Sequence, residues 1–117
     1  MTATTTYKRR RGDVLLVGFV FTDESGQKLR PALVVSSASY HRSRQEAIIV
    51  AITSNLGRQL VGDHRIEGWK QAGLLHPSLA TGVVRTIAAT MIHRRLGSLR
   101  TPDLTAVSNN LRVSLGL

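Results

Sequence analysis

Arg30 is a lone cation at the mouth of an apolar run, Leu29-Arg30-Pro31-Ala32-Leu33-Val34-Val35-Ser36-Ser37. Leu33, Val34 and Val35 favour a strand, and Pro31, with its fixed φ and missing N–H, is expected to open that strand rather than sit within its ladder. Pro31 also biases Arg30 towards an extended backbone. The guanidinium is therefore expected at a fixed exit angle on a sheet rim, where its planar fork suits a phosphate. A charge that only protects a strand end has the same sequence appearance. A second candidate group lies at Thr53-Ser54-Asn55, where an apolar run stops on hydroxyl and amide side chains. They belong to a sheet rim or to an ordinary polar turn. Between the two lies Ala38-Ser39-Tyr40-His41-Arg42-Ser43-Arg44-Gln45, read as a polar connection. Tyr40, Arg42 and Arg44 could stack on and neutralise a single nucleic-acid strand, or serve as a solvated hairpin loop. Arg58, in a later loop, and Arg85, in a later apolar segment, are further candidate contacts to the same kind of ligand.

These residue types restrict the chemistry. No Gly-rich phosphate loop is present, since Gly18 and Gly26 lack the required neighbours. The four histidines, at positions 41, 64, 76 and 93, have no metal-ligand spacing and Cys is absent, which argues against a zinc site. Seven carboxylates without an Asp-x-Asp pattern argue against two-metal nuclease chemistry. No metal and no cofactor are expected. Arg, Thr, Ser and His side chains suit intramolecular attack of a ribose 2′-OH on its own phosphodiester. RNA brings that nucleophile, so the protein needs only to position the phosphate, stabilise charge on its oxygens and move protons. Arg30 would supply charge; Thr53 and Ser54 would donate hydrogen bonds.

Composition agrees with such a ligand. Sixteen Lys and Arg against seven Asp and Glu give 117 residues a formal charge of +9, which points to a polyanion or to an acidic protein partner. The length fits one domain with a modest core, and with 4% aromatic residues that core must be aliphatic. No apolar run approaches the ~18 residues of a membrane span, and no signal-peptide core follows the basic start. The chain reads as a cytoplasmic protein without a membrane partner. Residues 1–11 are expected to be a flexible basic tail ending in Lys8-Arg9-Arg10-Arg11, and residues 12–117 a single domain.

The elements that must position the candidates follow from patterning. Residues 12–21 read as a first, central strand and residues 22–28 as a polar loop with Gly26. Residues 46–52 form a third strand, and Asp63-His64-Arg65-Ile66-Glu67 a short charged edge strand. Trp69 is expected to anchor an irregular stretch against the core. Residues 79–92 give one or two strands, with helix left open for residues 88–91, and His93-Arg94-Arg95-Leu96-Gly97-Ser98-Leu99 reads as a basic turn. Thr101-Pro102-Asp103 has the form of N-cap, N1 proline and early acid. Leu104, Val107, Leu111 and Leu115 share one face of the helix that follows, for core packing or a dimer seam.

Gly12-Asp13-Val14 leading to Phe19, Thr22-Asp23, Arg30-Pro31-Ala32-Leu33-Val34-Val35-Ser36 and Ala51-Ile52-Thr53-Ser54 form successive blocks, followed by Ala72-Gly73-Leu74-Leu75-His76-Pro77-Ser78 and Arg95-Leu96-Gly97-Ser98-Leu99. Together these blocks resemble the PemK/MazF family of toxin endoribonucleases. The resemblance implies a mainly β fold with a C-terminal helix, a small SH3-like β-barrel shared with the CcdB/PemK toxins, usually homodimeric. It implies metal-independent, sequence-specific cleavage of single-stranded RNA, with Arg30 in the place of the catalytic arginine and Thr53 in that of the catalytic threonine. It further implies a cognate antitoxin whose acidic, apolar C-terminal segment covers the RNA groove. Asp23 and Glu24 are near the position of an acidic residue used by some members, but their register assigns neither.

Two rival functions share these features. Gyrase-binding toxins of the same fold carry a Trp-Gly-Ile tail, whereas this chain ends Val113-Ser114-Leu115-Gly116-Leu117 with its only Trp at 69. A non-catalytic RNA- or DNA-binding module would carry the same charge.

Overall fold

The computed structural model describes residues 9–21, 26–57 and 59–117. Asp23, Glu24, Arg58 and residues 1–8 of the expected tail lie outside them. Arg9 lies against the body, donating to the carbonyls of Glu46 (3.2 Å) and Arg44 (2.8 Å).

The strands β1 (Asp13–Phe21), β2 (Gly26–Val34), β3 (Glu46–Thr53), β4 (His64–Arg65), β5 (Leu79–Ala88) and β6 (Ile92–Ser98) form one antiparallel sheet in the order β4-β5-β3-β2-β1-β6. A short helix, α1 (Ala38–Ser43), joins β2 to β3, a 3-10 turn (Ala89–Met91) joins β5 to β6, and α2 (Thr101–Leu115) ends the chain. This is the expected mainly β fold with a C-terminal helix. The ladder does not close, because β4 and β6 are its two edges, but the sheet curls. Ile87 of β5 and Ile92 at the start of β6 share one buried cluster with Leu15, Val34 and Ile49.

Alternation along the central strands feeds two cores. Val14, Leu33 and Val50 pack with Ile66, Leu99 and Val107 and against Trp69, Leu104 and Leu111. Their neighbours Leu15, Val34 and Ile49 fill the second. Trp69 is therefore the anchor expected of it.

Several elements differ from the sequence reading, each for a local reason. Pro31 lies inside β2, which begins at Gly26 and so takes Gly26, Gln27 and Lys28 out of the expected loop. It is tolerated because β3 pairs only with Ala32, Leu33 and Val34, leaving one side of β2 open at Pro31. The connection at residues 38–45 holds a helical turn, capped by Ser37 Oγ accepting the Tyr40 N–H at 3.2 Å. None of its residues is fully buried, so no apolar period marks it. The expected basic turn at 93–99 is strand β6; as an edge strand it exposes His93, Arg94 and Arg95 and buries Ile92. Helix α2 begins one residue earlier than expected, with Arg100 at the N-cap, and Leu115 is 56% exposed rather than packed.

Asp103, 3% exposed, ties α2 to the segment after β4. It accepts the backbone N–H groups of Glu67 (3.0 Å) and Gly68 (2.9 Å) and contacts His64 Nε2 at 2.8 Å. Burial alone would push its pKa up, but the hydrogen bonds from His64, Gly68 and Glu67, together with the His64 charge, hold it below the usual carboxylate value. Downstream, the chain turns tightly at Gly73, whose φ of +82° suits glycine and where a Cβ would meet the Leu96 carbonyl oxygen at 2.1 Å. That turn delivers residues 74–78 to the sheet rim.

Candidate active-site cleft

The β2–β3 ladder stops where the sequence stops it. Its last pair is Ala32 with Ala51, and the next rung would match Pro31 with Ile52, where proline has no N–H to give. Arg30 and Thr53 each stand two residues beyond that last pair, so both share the face of Ala32 and Ala51. Thr53 is still fixed on its other side, because it pairs with Leu79 of β5. The gap between the two parted strands opens into a cleft of about 1140 Å³.

Arg30, Thr53, Ser54 and Arg85 all line this cleft. Thr53 Oγ1 accepts the Asn55 N–H at 3.1 Å, and Asn55 Oδ1 accepts the Gly57 N–H at 3.1 Å. The turn thus holds the threonine hydroxyl at the rim while its own proton can be donated. Arg30 is exposed and reaches back to the Leu29 carbonyl at 3.2 Å. Arg85 holds its guanidinium 4.9 Å from the centroid of the Phe19 ring, a cation–π contact that orients it on the cleft wall.

Tyr40, Arg42 and Arg44 are not among the residues lining the cleft. They belong to α1 and its end, beside the start of β3, whereas Thr53 is at its finish. There Arg44 pairs with Glu46 (3.3 Å) and lies 5.3 Å over the Tyr40 ring, and Arg42 donates to Ser39 Oγ at 3.0 Å. In the same helix His41 Nε2 lies 2.5 Å from Ser36 Oγ, which also takes the Ile48 N–H at 3.0 Å. Burial lowers the His41 pKa and the charge of Arg9 lowers it further, against an opposing effect of Asp13.

Asn55, the third member of the Thr53-Ser54-Asn55 group, lines the cleft too, and the structure adds His76 and Arg94. Arg94 arrives through β6, where it pairs with Leu16, itself the partner of Pro31. Nothing in the spacing of His93-Arg94-Arg95 marks this, because it follows from β6 pairing with β1. His76 could be found only through the block Ala72-Gly73-Leu74-Leu75-His76-Pro77-Ser78. Among the described lining residues three are arginines and none is a carboxylate, and Leu29, Leu75 and Val83 give an exposed apolar rim. Such a surface attracts phosphates and offers apolar faces to bases or to an amphipathic segment. Among the described residues, no group of three metal-binding side chains is assembled, and no helix is long and apolar enough to cross a membrane.

Residues 10–115 match the family described as PemK-like, MazF-like toxin of type II toxin-antitoxin system. The chain belongs to the PemK/MazF toxin family. Solved structures with the PemK/MazF fold resemble it along almost all of its length. One is an endoribonuclease in complex with its cognate antitoxin from Mycobacterial species, with a TM-score of 0.74 and 18% identity over 94% of this chain and 97% of that one. Another is the Mycobacterium tuberculosis toxin MazF-mt6, with a TM-score of 0.73 and 19% identity over 90% and 97%. A third is a MazE-MazF structure from Deinococcus radiodurans, with a TM-score of 0.75 and 19% identity over 95% and 99%. At such identities the likeness establishes the fold. No curated protein sequence matches the chain.

Proposed function

We propose that this toxin is an endoribonuclease that cleaves single-stranded RNA, mRNA in the cell, at short sequences and without a metal, so inhibiting translation and growth. The attacking group is the 2′-OH next to the scissile phosphate. The observation that carries this reading is the placement of Arg30 and Thr53. Both stand two residues past the last β2–β3 pair, on one face, in a cleft whose described charged lining residues are all cationic.

In this mechanism Arg30 grips the phosphate and stabilises charge that builds on its non-bridging oxygens, an effect strongest where water is partly excluded. Thr53, with Ser54 beside it, donates hydrogen bonds that hold the phosphate in line with the 2′-oxygen. Arg85 neutralises a flanking phosphate. Tyr40, Arg42 and Arg44 serve RNA long enough to run along β3 beyond the cleft, and Arg58 is a further contact to it. The protein acts in the cytoplasm, as a homodimer. A cognate antitoxin silences it by laying an acidic segment along the arginines, with apolar side chains on Leu29, Leu75 and Val83.

Substitution separates an enzyme from a binder. Arg30→Ala and Thr53→Ala are expected to abolish cleavage while the variants stay folded and still bind RNA. Cleavage at the wild-type rate in both variants would remove these residues from the mechanism.

A further inference from the structure

Attack by a 2′-OH needs a group that takes its proton, and neither Arg30 nor Thr53 is suited to that. Arginine stays protonated at any working pH, and a threonine hydroxyl is a donor here rather than a base. Among the described residues that line the cleft, the remaining polar groups are the Ser54 and Ser78 hydroxyls, the Asn55 amide, Arg85, Arg94 and one imidazole, His76. Histidine is the side chain that exchanges a proton reversibly between about pH 5 and 8.

The position of His76 is built rather than incidental. It lies three residues before Leu79, the β5 residue paired with Thr53. Buried Ser78 donates its hydroxyl to the His76 carbonyl at 2.8 Å, and the Ser78 carbonyl accepts the Ile66 N–H at 3.0 Å. At the other end of the segment, the Leu74 N–H is held by the Trp69 carbonyl at 3.0 Å. Pro77 restricts the backbone immediately after the histidine. The segment is therefore pinned on both sides while the His76 side chain itself is exposed to the cleft.

We propose that His76 is the general base of this site, an assignment that rests on the ribonuclease reading above. Neutral imidazole takes the 2′-OH proton as the 2′-oxygen bonds to phosphorus. The bond from phosphorus to the 5′-oxygen breaks, its electron pair stays on that oxygen, and the oxygen takes a proton from water. The imidazolium then returns its proton to solvent, leaving a 2′,3′-cyclic phosphate and a 5′-hydroxyl. Among the described residues, the charged groups that share the cleft with His76 are Arg30, Arg85 and Arg94, and none of these three competes for the proton.

The test follows single-turnover cleavage of a single-stranded RNA by the full chain in EDTA across about pH 5 to 9. Wild type is expected to lose rate on acidification. His76→Gln should fall by about 100-fold or more at neutral pH and lose that acid limb, with RNA binding and the thermal melt unchanged. His76→Ala should regain rate when free imidazole is added, which a merely structural role would not allow. Wild-type rate and an unaltered acid limb in His76→Gln would overturn the assignment while leaving the ribonuclease reading intact. Absence of cleavage by wild type would overturn both.

Discussion

Removing the Asp103 carboxylate is expected to destabilise the fold and loosen the cleft together. The carboxylate satisfies the Gly68 N–H, the Glu67 N–H and His64 from a position 3% exposed. Asp103→Ala leaves the buried Gly68 N–H without a partner, for about 1–3 kcal/mol, while the more exposed Glu67 N–H and His64 recover water and add about 1–2 kcal/mol between them. The sum, about 2–5 kcal/mol, is a large part of the roughly 5–15 kcal/mol that holds a domain of this size together. At roughly 3–6 °C per kcal/mol, the melting temperature should fall by about 6–30 °C. Because residues 66–74 lead into the cleft wall at His76, cleavage should become more heat-sensitive in parallel. The pH dependence has a definite sign. A depressed folded pKa contributes stability that is complete above the ordinary carboxylate value and is lost as pH falls through the folded value. The difference between wild type and Asp103→Asn should accordingly shrink on acidification. Urea unfolding monitored by Trp69 fluorescence reads both effects, and a loss below about 1 kcal/mol, or a difference that grows in acid, would refute the reasoning.

Three more outcomes can be measured. Gly73→Ala should destabilise by more than about 2 kcal/mol, from a left-handed φ and a Cβ driven against the Leu96 carbonyl, and an unchanged thermal melt would contradict this. His41 has a lowered folded pKa, so stability should fall as pH drops below its ordinary value of 6.5; His41→Gln should flatten that limb in urea titrations at stepped pH. Arg85→Ala and Arg94→Ala should each reduce the salt dependence of RNA binding by about 0.7 in log–log slope, and unchanged slopes would take those arginines off the RNA path.

Much of the fold was legible because its central strands are apolar enough to be unambiguous. Residues 46–52 match β3 to within a residue, and Thr101-Pro102-Asp103 announced α2. Other elements carried no such signal. Helix α1 fully buries no residue, so it carries no apolar period, and its signature is a single Ser37 cap. Strand β6 is an edge with outward cations, a pattern that reads as a turn without its pairing to β1. Pro31 sits inside β2 because proline is excluded only from a rung paired on both sides, and the β3 side of β2 is open there. Patterning marks Arg30 and Thr53 as rim groups, and the family resemblance adds their catalytic places. The physical basis of their convergence, a ladder that ends at Ala32 and Ala51 because proline comes next, needs the register. Arg94 and His76 reach the cleft through pairing and turn geometry far from Arg30 in sequence, which no local window reports.

The central claim is most directly tested with two RNA substrates identical except for deoxyribose at the nucleotide 5′ to the cut. Incubated with the full chain in EDTA, the all-ribose strand should be cleaved to ends bearing a 2′,3′-cyclic phosphate and a 5′-hydroxyl, and the deoxy-substituted strand should stay intact. Equal cleavage of both, or cleavage only when a divalent cation is restored, would contradict the account.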